Sequence, residues 1–595
     1  MRTFWKIVFG SCLGSILAGI LLVFLGSGIV GALSLGAEKK ELQGNSVLSI
    51  TLTPTTILPE KTNNTDAPRF SLNNAAVIGL SDLVKTLEIA KEDPNIKGVK
   101  LEMEGLMAGQ ATTSVLRRAM EDFRSSGKFI LSYGVVYTQK DYFLASVADK
   151  IYIHPNGMFD FRGYGSQITF FKKMLDKLDI NVQVFYAGQF KSATEPFRFE
   201  KMSKPNKLQV RAYLNGLYSV FLDNISKSRN INAEDLRRYA DGLMIRNADD
   251  AVKYKLVDAK AYKDEFLADI KARVGVAEKD KVHYVTLNEY YNAKVKDKKE
   301  RGGKDKIAVV YAEGNINMGK KSTGEIGGDA YAAMIRKIRQ DEHIKAIVLR
   351  VNSGGGSSLA SEDIWRELQM AKQEGKKIVV SMGDVAASGG YYISTPADTI
   401  FAEPNTITGS IGVFAVVPGL HNTMKNKLGI TFDTVRTGRY STGFSLNYDF
   451  DADEQKYFQE NVDHIYDNFL GVVAEGRKMS KEKVHAIAQG RVWTGKMAQE
   501  IGLVDRMGGL SDAIACASRM AGISDFKIKE YPLSKEPVQQ FIEQLMGTED
   551  EDNSAMKKQL IRSELGALYP YFEQLMTLQN ISGIQMRMPY MIEIR

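Results

Sequence analysis

The feature that most restricts the fold of this chain is an internal repeat. A pair of aromatic residues, then Ala-Asp, then Pro-Asn occurs first from Tyr142 and again from Tyr391. Further matched pairs are Gly127 with Gly375, Gly188 with Gly438 and Val257 with Val504, at offsets between 247 and 250. A nearly constant offset indicates a duplicated structural unit. We therefore expect two repeats of one domain, in a chain whose 595 residues are too many for a single core.

Each repeat alternates short apolar runs with segments of helical periodicity. The strand-like runs are 96–103, 128–133 and 150–154 in the first repeat, and 344–351, 376–382 and 399–403 in the second. Apolar residues at helical spacing occupy 113–124 and 361–373, between two of these strands in each repeat. Such alternation predicts a parallel sheet with crossover helices. The expected fold class is α/β, in tandem duplication.

Changes in composition divide the chain into five parts. Residues 294–306 form a charged run with paired glycines, which is typical of a solvated linker. After residue 530 the α/β pattern ends, and the last residues are apolar enough to dock on another surface. The predicted parts are an N-terminal membrane anchor (1–40), the first repeat (41–293), the linker (294–306), the second repeat (307–530) and a C-terminal tail (531–595).

The N-terminus predicts a membrane anchor. Residues 7–37 carry no charged side chain. This uncharged run is long enough for a helix that crosses a bilayer, and it is longer than the apolar region of a cleaved signal peptide. Arg2 and Lys6 precede this run, and positive charge beside a span stays in the cytoplasm. We expect a single uncleaved helix in the inner (cytoplasmic) membrane, with the body of the protein on the extracytoplasmic side.

Charge and cysteine content argue against several classes of protein. The formal net charge of +7 is spread over a long chain without a basic stripe, so a nucleic-acid partner is not expected. The two cysteines, Cys12 and Cys516, lie in unrelated segments and suggest neither a disulfide nor a metal site.

A candidate nucleophile, Ser388, lies in the second repeat. It follows a predicted strand and stands among alanines and glycines, where a substrate carbonyl could approach and the amide of Gly389 could face it. Strand, tight turn, serine and helix is the layout of a nucleophile elbow, although the motif Gly-x-Ser-x-Gly is absent. The alternative is that Ser388 is a small residue where a helix packs closely on a strand.

A glycine run, Gly354–Gly356, follows the preceding strand of the same repeat. Its backbone N–H groups could stabilise a developing oxyanion. The run could also bind a phosphate, but the Lys-Ser/Thr pair of a Walker motif is missing.

A serine nucleophile needs a base, and the sequence favours lysine over histidine. None of the six histidines lies in a glycine-rich or turn segment. Lys191 follows a mostly apolar run, and burial there would lower its pKa toward that of a base. The first repeat has Lys191 but Gln139 at the position of Ser388, whereas the second has Ser388 but Ser441 at the position of the lysine. This complementary loss favours one site shared between the repeats.

Four segments together resemble the signal peptide peptidase A family in its long, two-domain form. They are Gly188–Phe197, Val351–Ser357, Asp384–Tyr392 and Thr408–Val413. The resemblance implies two Clp-protease-like (crotonase-type) domains behind a membrane anchor. It also implies that Ser388 is the nucleophile, Lys191 the general base and Ser410 the residue that orients Lys191. The amides of Gly355 and Gly389 would form the oxyanion hole.

One residue departs from the family pattern. Gly354 stands where the family usually has proline, and glycine leaves a loop with more backbone freedom. Gly355 keeps its amide donor, so we expect the activity to be retained.

The resemblance implies a serine endopeptidase that degrades remnant signal peptides through an acyl-enzyme, without a metal or cofactor, as a homotetramer. Two other functions stay open: a crotonase-type acyl-CoA enzyme with the same oxyanion hole, and an inert membrane scaffold. The scaffold predicts that residues 191 and 388 lie far apart. The peptidase predicts Lys191 Nζ and Ser388 Oγ within hydrogen-bond reach. The sequence leaves open whether they meet within one chain or between protomers.

Overall fold

The computed structural model describes residues 43–54, 56, 58–61, 79–277, 279–295, 303–320, 324–533, 561, 565, 569 and 584–588. The predicted membrane segment at 7–37, most of the predicted linker and most of the tail lie outside these residues. Within the described ranges, no helix has the length and apolar character that a membrane crossing needs.

The first repeat contains seven strands and ten α-helices among its described residues. The strands are β1 (Ser46–Leu52), β2 (Ile96–Met103), β3 (Phe129–Tyr137), β4 (Lys150–Phe159), β5 (Asn181–Ala187), β6 (Ala259–Lys260) and β7 (Tyr284–Thr286). The helices are α1 (Leu80–Glu92), α2 (Gln110–Arg124), α3 (Gln139–Ala145), α4 (Lys172–Lys177), α5 (Glu195–Arg198), α6 (Lys204–Arg229), α7 (Ala233–Asp241), α8 (Ala248–Lys253), α9 (Lys263–Val274) and α10 (Leu287–Tyr290).

The second repeat and the tail continue the same alternation. The strands are β8 (Lys306–Glu313), β9 (Asn315–Asn317), β10 (Glu325–Gly327), β11 (Ile344–Ser353), β12 (Gly355–Ser357), β13 (Lys377–Ala387), β14 (Thr399–Ala402), β15 (Ile407–Gly409), β16 (Val413–Gly419), β17 (Val492–Thr494), β18 (Arg506–Met507), β19 (Lys527–Tyr531) and β20 (Gln585–Arg587). The helices are α11 (Gly328–Gln340), α12 (Ser358–Gln373), α13 (Gly389–Tyr392), α14 (His421–Leu428), α15 (Ala452–Arg477), α16 (Lys481–Ile487), α17 (Gly495–Glu500) and α18 (Leu510–Ala521).

Both repeats are built on a largely parallel sheet. The first has the order β6-β4-β3-β2-β1-β7, and the second has β17-β15-β13-β11-β8-β19 with β14 beside β13. Helices cover both faces, so the strands are apolar at successive positions, as in the buried run Ile307–Ala312 of β8. The order β1-β2-β3-β4 recurs as β8-β11-β13-β14. The predicted tandem α/β architecture is confirmed.

A third sheet joins the two repeats, in the order β10-β9-β12-β20-β16-β5. Strand β5 of the first repeat pairs antiparallel with β16 of the second over seven residue pairs, from Asn181 with Gly419 to Ala187 with Val413. Helix α2 adds side-chain contacts across the same boundary. These are Thr112 with Asp384, Asn405 with Gln110 and Ser114, and Arg118 with Glu403.

One predicted boundary near Ser388 needs correction. The sequence predicted that this strand ends at residue 382, but β13 continues to Ala387. The strand is thus five residues longer than predicted, and its last three residues, Val385–Ala387, pair with Ile407–Gly409 of β15. The turn is therefore confined to Ser388 itself.

Candidate active site

Ser388 lies between the end of β13 and the first residue of α13. Its backbone has φ 56° and ψ −116°, a conformation that residues with a Cβ rarely adopt. The Ser388 amide donates to the carbonyl of Gly409 at 2.8 Å, and its carbonyl accepts from the Tyr392 amide at 2.8 Å. Backbone strain of this kind costs about 1–3 kcal/mol and is typical of functional turns. This change of direction from strand β13 to helix α13 holds the Ser388 side chain at the end of the second repeat's sheet.

Lys191 reaches the same place from the other repeat. It follows β5, and a short 3₁₀ turn at Ser192–Thr194 begins directly after it. The amide of Phe190 donates to the carbonyl of Gln489 at 2.9 Å, which ties this loop to the second repeat. The backbones approach so closely that a Cβ on Gly490 would come within 2.7 Å of Lys191 Cα. Pairing of β5 with β16 therefore delivers the lysine to the serine.

The predicted residues Lys191, Ser388 and Ser410 meet within one chain. Lys191 Nζ lies 2.9 Å from Ser388 Oγ, 3.1 Å from Ser410 Oγ and 3.2 Å from the Ser410 carbonyl oxygen. All three residues are almost fully buried, at 1%, 0% and 0% exposure in the order Lys191, Ser388, Ser410. Ser410 also has a positive φ of 50°, and its amide donates to the Arg491 carbonyl at 2.7 Å.

Burial changes the acid–base character of Lys191. Because the ammonium is removed from water, its pKa is lowered well below the ordinary value for lysine. A nearby carboxylate would oppose this shift, but Glu195 is engaged elsewhere. Its oxygens accept from the amide and hydroxyl of Ser203 and from Asn206 Nδ2. The site therefore favours a neutral amine beside a serine hydroxyl.

The glycines predicted for the oxyanion hole, Gly355 and Gly389, face one another. Gly355 has a φ of 94°, and a Cβ there would lie 2.6 Å from the Gly389 amide nitrogen and overlap the carbonyl oxygen of Met586. A Cβ on Gly389 would in turn lie 2.7 Å from Ser361 Oγ and 3.0 Å from the Met586 carbonyl oxygen. The Gly355 amide itself donates to Ser353 Oγ at 3.1 Å. Of the two, Gly389 directly follows the serine in the chain.

Comparison with known proteins identifies the family. The model for "Peptidase family S49" matches residues 122–277 and 370–524, one match in each repeat. Protease 4 of Salmonella typhi is 37% identical over 460 residues, which cover 76% of this chain and 74% of that protein. The chain belongs to peptidase family S49.

Other relatives agree with this assignment. Protease 4 of Haemophilus influenzae is 34% identical, covering 76% of this chain and 75% of that protein. The "Serine protease SPPA, chloroplastic" of Arabidopsis thaliana is 32% identical, and the match covers 75% of this chain and 66% of that protein. A solved structure of a ClpP1 mutant from Listeria monocytogenes covers 35% of this chain and 94% of its own, with 15% identity and a TM-score of 0.24. The sequence relatives confirm the predicted family and the serine peptidase activity.

A short segment of the C-terminal tail of this S49 peptidase, residues 584–588, lies beside the candidate oxyanion-hole glycines. Strand β20 runs antiparallel to both β12 and β16 and fills the space between them. Gly356 pairs with Met586, and the amide of Met588 donates to the carbonyl of Gly354 at 2.6 Å. Met586 is buried at 1% exposure. The sequence predicted only that the tail could dock on another surface, because a local sequence pattern does not show which sheet edge an apolar strand will pair with.

Two further residues support the site of the S49 peptidase and were missed by the sequence analysis. Gln209 of α6 is buried, and its amide group donates to the Phe190 carbonyl at 3.0 Å and to Ser192 Oγ at 2.8 Å. Asp384 of β13 accepts from the amide of Thr112 at 2.9 Å and from its hydroxyl at 2.5 Å, and so caps helix α2. Asp384 lies within a segment that carried the family resemblance, but its partner is 272 residues away.

Proposed function

We propose that this S49 peptidase is a membrane-bound endopeptidase that degrades remnant signal peptides through a Ser388–Lys191 dyad. The observation that carries the proposal is the 2.9 Å separation of Lys191 Nζ and Ser388 Oγ in a buried site. A neutral lysine at this distance can take the serine proton directly.

The reaction proceeds through an acyl-enzyme. Neutral Lys191 takes the Ser388 proton as Oγ bonds to the substrate carbonyl carbon, and the carbonyl oxygen becomes an oxyanion. The Gly389 amide donates to that oxyanion, and the Gly355 amide joins it by turning from Ser353 Oγ. The Lys191 ammonium then protonates the leaving amine as the C–N bond breaks. Lys191 next deprotonates a water that attacks the ester carbonyl carbon. The C–O bond to Ser388 then breaks as the Lys191 ammonium returns its proton to Oγ, which restores the hydroxyl and the neutral amine and releases the acid product. Ser410 holds Nζ in place throughout.

The tail strand supports a peptide substrate in extended form. A chain that takes the place of β20 would pair with β12 on one side and β16 on the other, which is strand addition to free sheet edges. Apolar side chains suit this cleft. Met588 packs against a cluster contributed by both repeats, namely Val210, Tyr213, Leu217, Ile407 and Val492. A remnant signal peptide, which is an apolar segment released at the membrane, has this chemistry.

The remaining parts of the proposal concern place and assembly. The uncharged run at 7–37 supports a single-pass anchor in the inner membrane, with the catalytic body on the extracytoplasmic side. Each repeat would have the Clp-like (crotonase-type) fold, and the chain would assemble as a homotetramer.

The alternative functions find less support. An inert scaffold needs residues 191 and 388 to lie apart, whereas their side chains are in contact. An acyl-CoA enzyme would use the glycine amides but would have no need for a buried lysine against the serine.

The test uses the full chain in detergent and a synthetic apolar signal peptide, with products identified by mass spectrometry. Wild type should cleave within the apolar segment and pass through an ester on Ser388. Ser388→Ala and Lys191→Ala should both lose cleavage, whereas Ser125→Ala and Lys201→Ala, at exposed positions away from the site, should retain it. Wild-type rates in both dyad variants would refute the mechanism. Cleavage of polar loops in preference to apolar segments would refute the substrate.

A further inference from the structure

Gln209 is bonded to both sides of the loop that carries Lys191. It lies in the second turn of α6 and is buried, at 1% exposure. Its Nε2 donates to the Phe190 carbonyl at 3.0 Å, directly before the lysine, and to Ser192 Oγ at 2.8 Å, directly after it. A single side chain of α6 therefore fixes the backbone on either side of Lys191.

The other end of the same amide group contacts the second repeat. Gln209 Oε1 accepts from the Val492 amide of β17 at 3.2 Å. The carbonyl of the preceding residue, Arg491, accepts from the Ser410 amide at 2.7 Å. Ser410 in turn accepts from Lys191 Nζ at its hydroxyl and its carbonyl. Gln209 thus links the loop of the lysine to the segment that holds Ser410.

The contacts also fix which end of the amide group faces which repeat. A backbone carbonyl faces Nε2 and a backbone N–H faces Oε1, so a reversed amide would lose both bonds. Nε2 also donates to Asn206 Oδ1 at 3.2 Å, and Asn206 Nδ2 donates to the Glu195 carboxylate at 2.8 Å. This arrangement requires a donor and an acceptor at the reach of a glutamine. Asparagine is one methylene shorter, and ionised glutamate has no donor.

The corresponding helix of the second repeat has no need of this amide. Helix α15 matches α6 in its length of 26 residues, and it begins 248 positions later. Both helices begin after a residue whose side chain accepts from the backbone, Ser203 in α6 and Asp451 in α15. The counterpart of Gln209 is Tyr457, which is 54% exposed. The fold therefore keeps the cap in both repeats, whereas the buried amide at this position belongs to the repeat that carries the lysine.

We propose that Gln209 is a positioning residue, which holds Lys191 against Ser388 across the boundary between the repeats. The inference rests on the proposed function, in which Lys191 is the base. Gln209 acts through the lysine loop and not on the reacting atoms. A base must be held within hydrogen-bond reach of the proton it takes, and a misplacement on the order of 1 Å can lower the rate by about 10²-fold.

Loss of this support should also change the acid–base behaviour of Lys191. Burial lowers the pKa of the lysine, so a loop that moves toward water should let that pKa rise again. A glutamate at position 209 would add a buried carboxylate, which raises the pKa further. The charged side chains on the adjoining segments are Glu195 of α5 and Arg491, whose guanidinium stacks on Phe190. Both are unchanged in the variants below, so a shift is due to position 209.

The test uses the full chain in detergent and a short apolar peptide. Gln209→Met keeps a side chain of similar size and removes the amide. It should lower kcat on the order of 10²-fold with KM near the wild-type value, and should move the acid-side midpoint of kcat/KM to higher pH. Gln209→Glu should change both further in the same direction. Asn224→Ala, the control, removes an amide on the same helix whose partner is the Val220 carbonyl of α6 itself, and should keep kcat and the midpoint.

A double-mutant cycle shows whether Gln209 acts through the lysine. In the Lys191→Met background the residual rate should be the same with glutamine or methionine at position 209, because no base is left to position. Equal fold-losses in both backgrounds would overturn the proposal. So would a lower Tm in Gln209→Met with wild-type kcat and midpoint, which is the result expected of a purely structural residue.

A second variant keeps the proposal testable if Gln209→Met does not fold. Ser192→Ala leaves α6 intact and removes one partner of Nε2, so it should lower kcat in the same direction by a smaller factor. Wild-type kcat and midpoint in Ser192→Ala would then count against the role of Gln209. Failure of the proposed function is distinguishable, because it appears as a wild-type rate in Lys191→Met. An inactive Lys191→Met beside a fully active Gln209→Met would refute the positioning role alone.

Discussion

The turn at Ser388 and its counterpart at Gln139 have the same position in the two repeats but opposite roles. Ser388 is in contact with a lysine from the other repeat, whereas the Gln139 side chain is bonded to the backbone of Arg162 and Gly163. Ser410 has Phe161 as its counterpart, which packs in an aromatic cluster with Tyr142. The fold therefore requires the strand-to-helix reversal, whereas the catalytic side chain at that reversal is needed in only one repeat. Duplication allowed each repeat to keep half of one site.

The largest expected effect comes from the turn itself. Ser388→Ala should lower kcat/KM by on the order of 10⁴-fold or more, because acyl transfer loses its nucleophile. Gln139→Ala changes the counterpart position and should leave kcat/KM close to the wild-type value. Steady-state kinetics on an apolar peptide measures both. Equal losses in the two variants would mean that the repeats do not differ in the way described above.

The next largest effect concerns the lysine of the first repeat. Lys191→Met should lower kcat by about 10²–10⁴-fold, the usual contribution of a general base. Lys191→Arg should not restore activity, since a guanidinium stays protonated in proteins. Ser441→Lys, made in the Lys191→Met background, should not restore it either, because that position lies on the other repeat. Rescue by arginine would show that positive charge, rather than proton transfer, is what the site uses.

The pH dependence should reflect the lowered pKa of Lys191. Burial favours the neutral amine, so the base is present well below pH 10.5 and is lost as the pH falls through the lowered pKa. On the acid side of that pKa, kcat/KM should fall by about tenfold for each pH unit. A pH–rate profile of the wild type measures the midpoint. A midpoint at the ordinary lysine value would mean that the site does not depress the pKa.

The smallest effect should come from the contact that joins the repeats. Asp384→Ala removes the cap of α2, which is worth about 1 kcal/mol, and loosens the first repeat against the strand that carries Ser388. We expect a lower kcat as well as a lower Tm. Thr138→Ala removes a cap of the same kind inside the first repeat and should lower Tm alone. Equal kcat in the two variants would assign Asp384 to stability only.

The sequence was most informative where a pattern is local. Alternating periodicity predicted both sheets. The residues at 191 and 388 predicted a site shared between the repeats, and the family resemblance added Ser410 to the cluster that the structure brings together. The contacts that join the two repeats outside this cluster were not predictable in this way. Strand β5 leaves its own repeat to join β16, and Asp384 caps a helix 272 residues earlier. The strand pairing and the helix cap both depend on which sheet edges and helix ends remain free after each repeat has folded. A single sequence does not show which ones these are.

The tail strand β20 has a kinetic consequence. It occupies the cleft between β12 and β16 and belongs to the same chain, so its binding there is intramolecular. The effective concentration of a ligand that belongs to the same chain does not depend on the enzyme concentration. A peptide in solution must therefore compete with β20, and diluting the enzyme does not weaken that competition. Under the proposed membrane anchoring, apolar segments concentrated in the bilayer beside the enzyme would compete far better than the same peptides free in water.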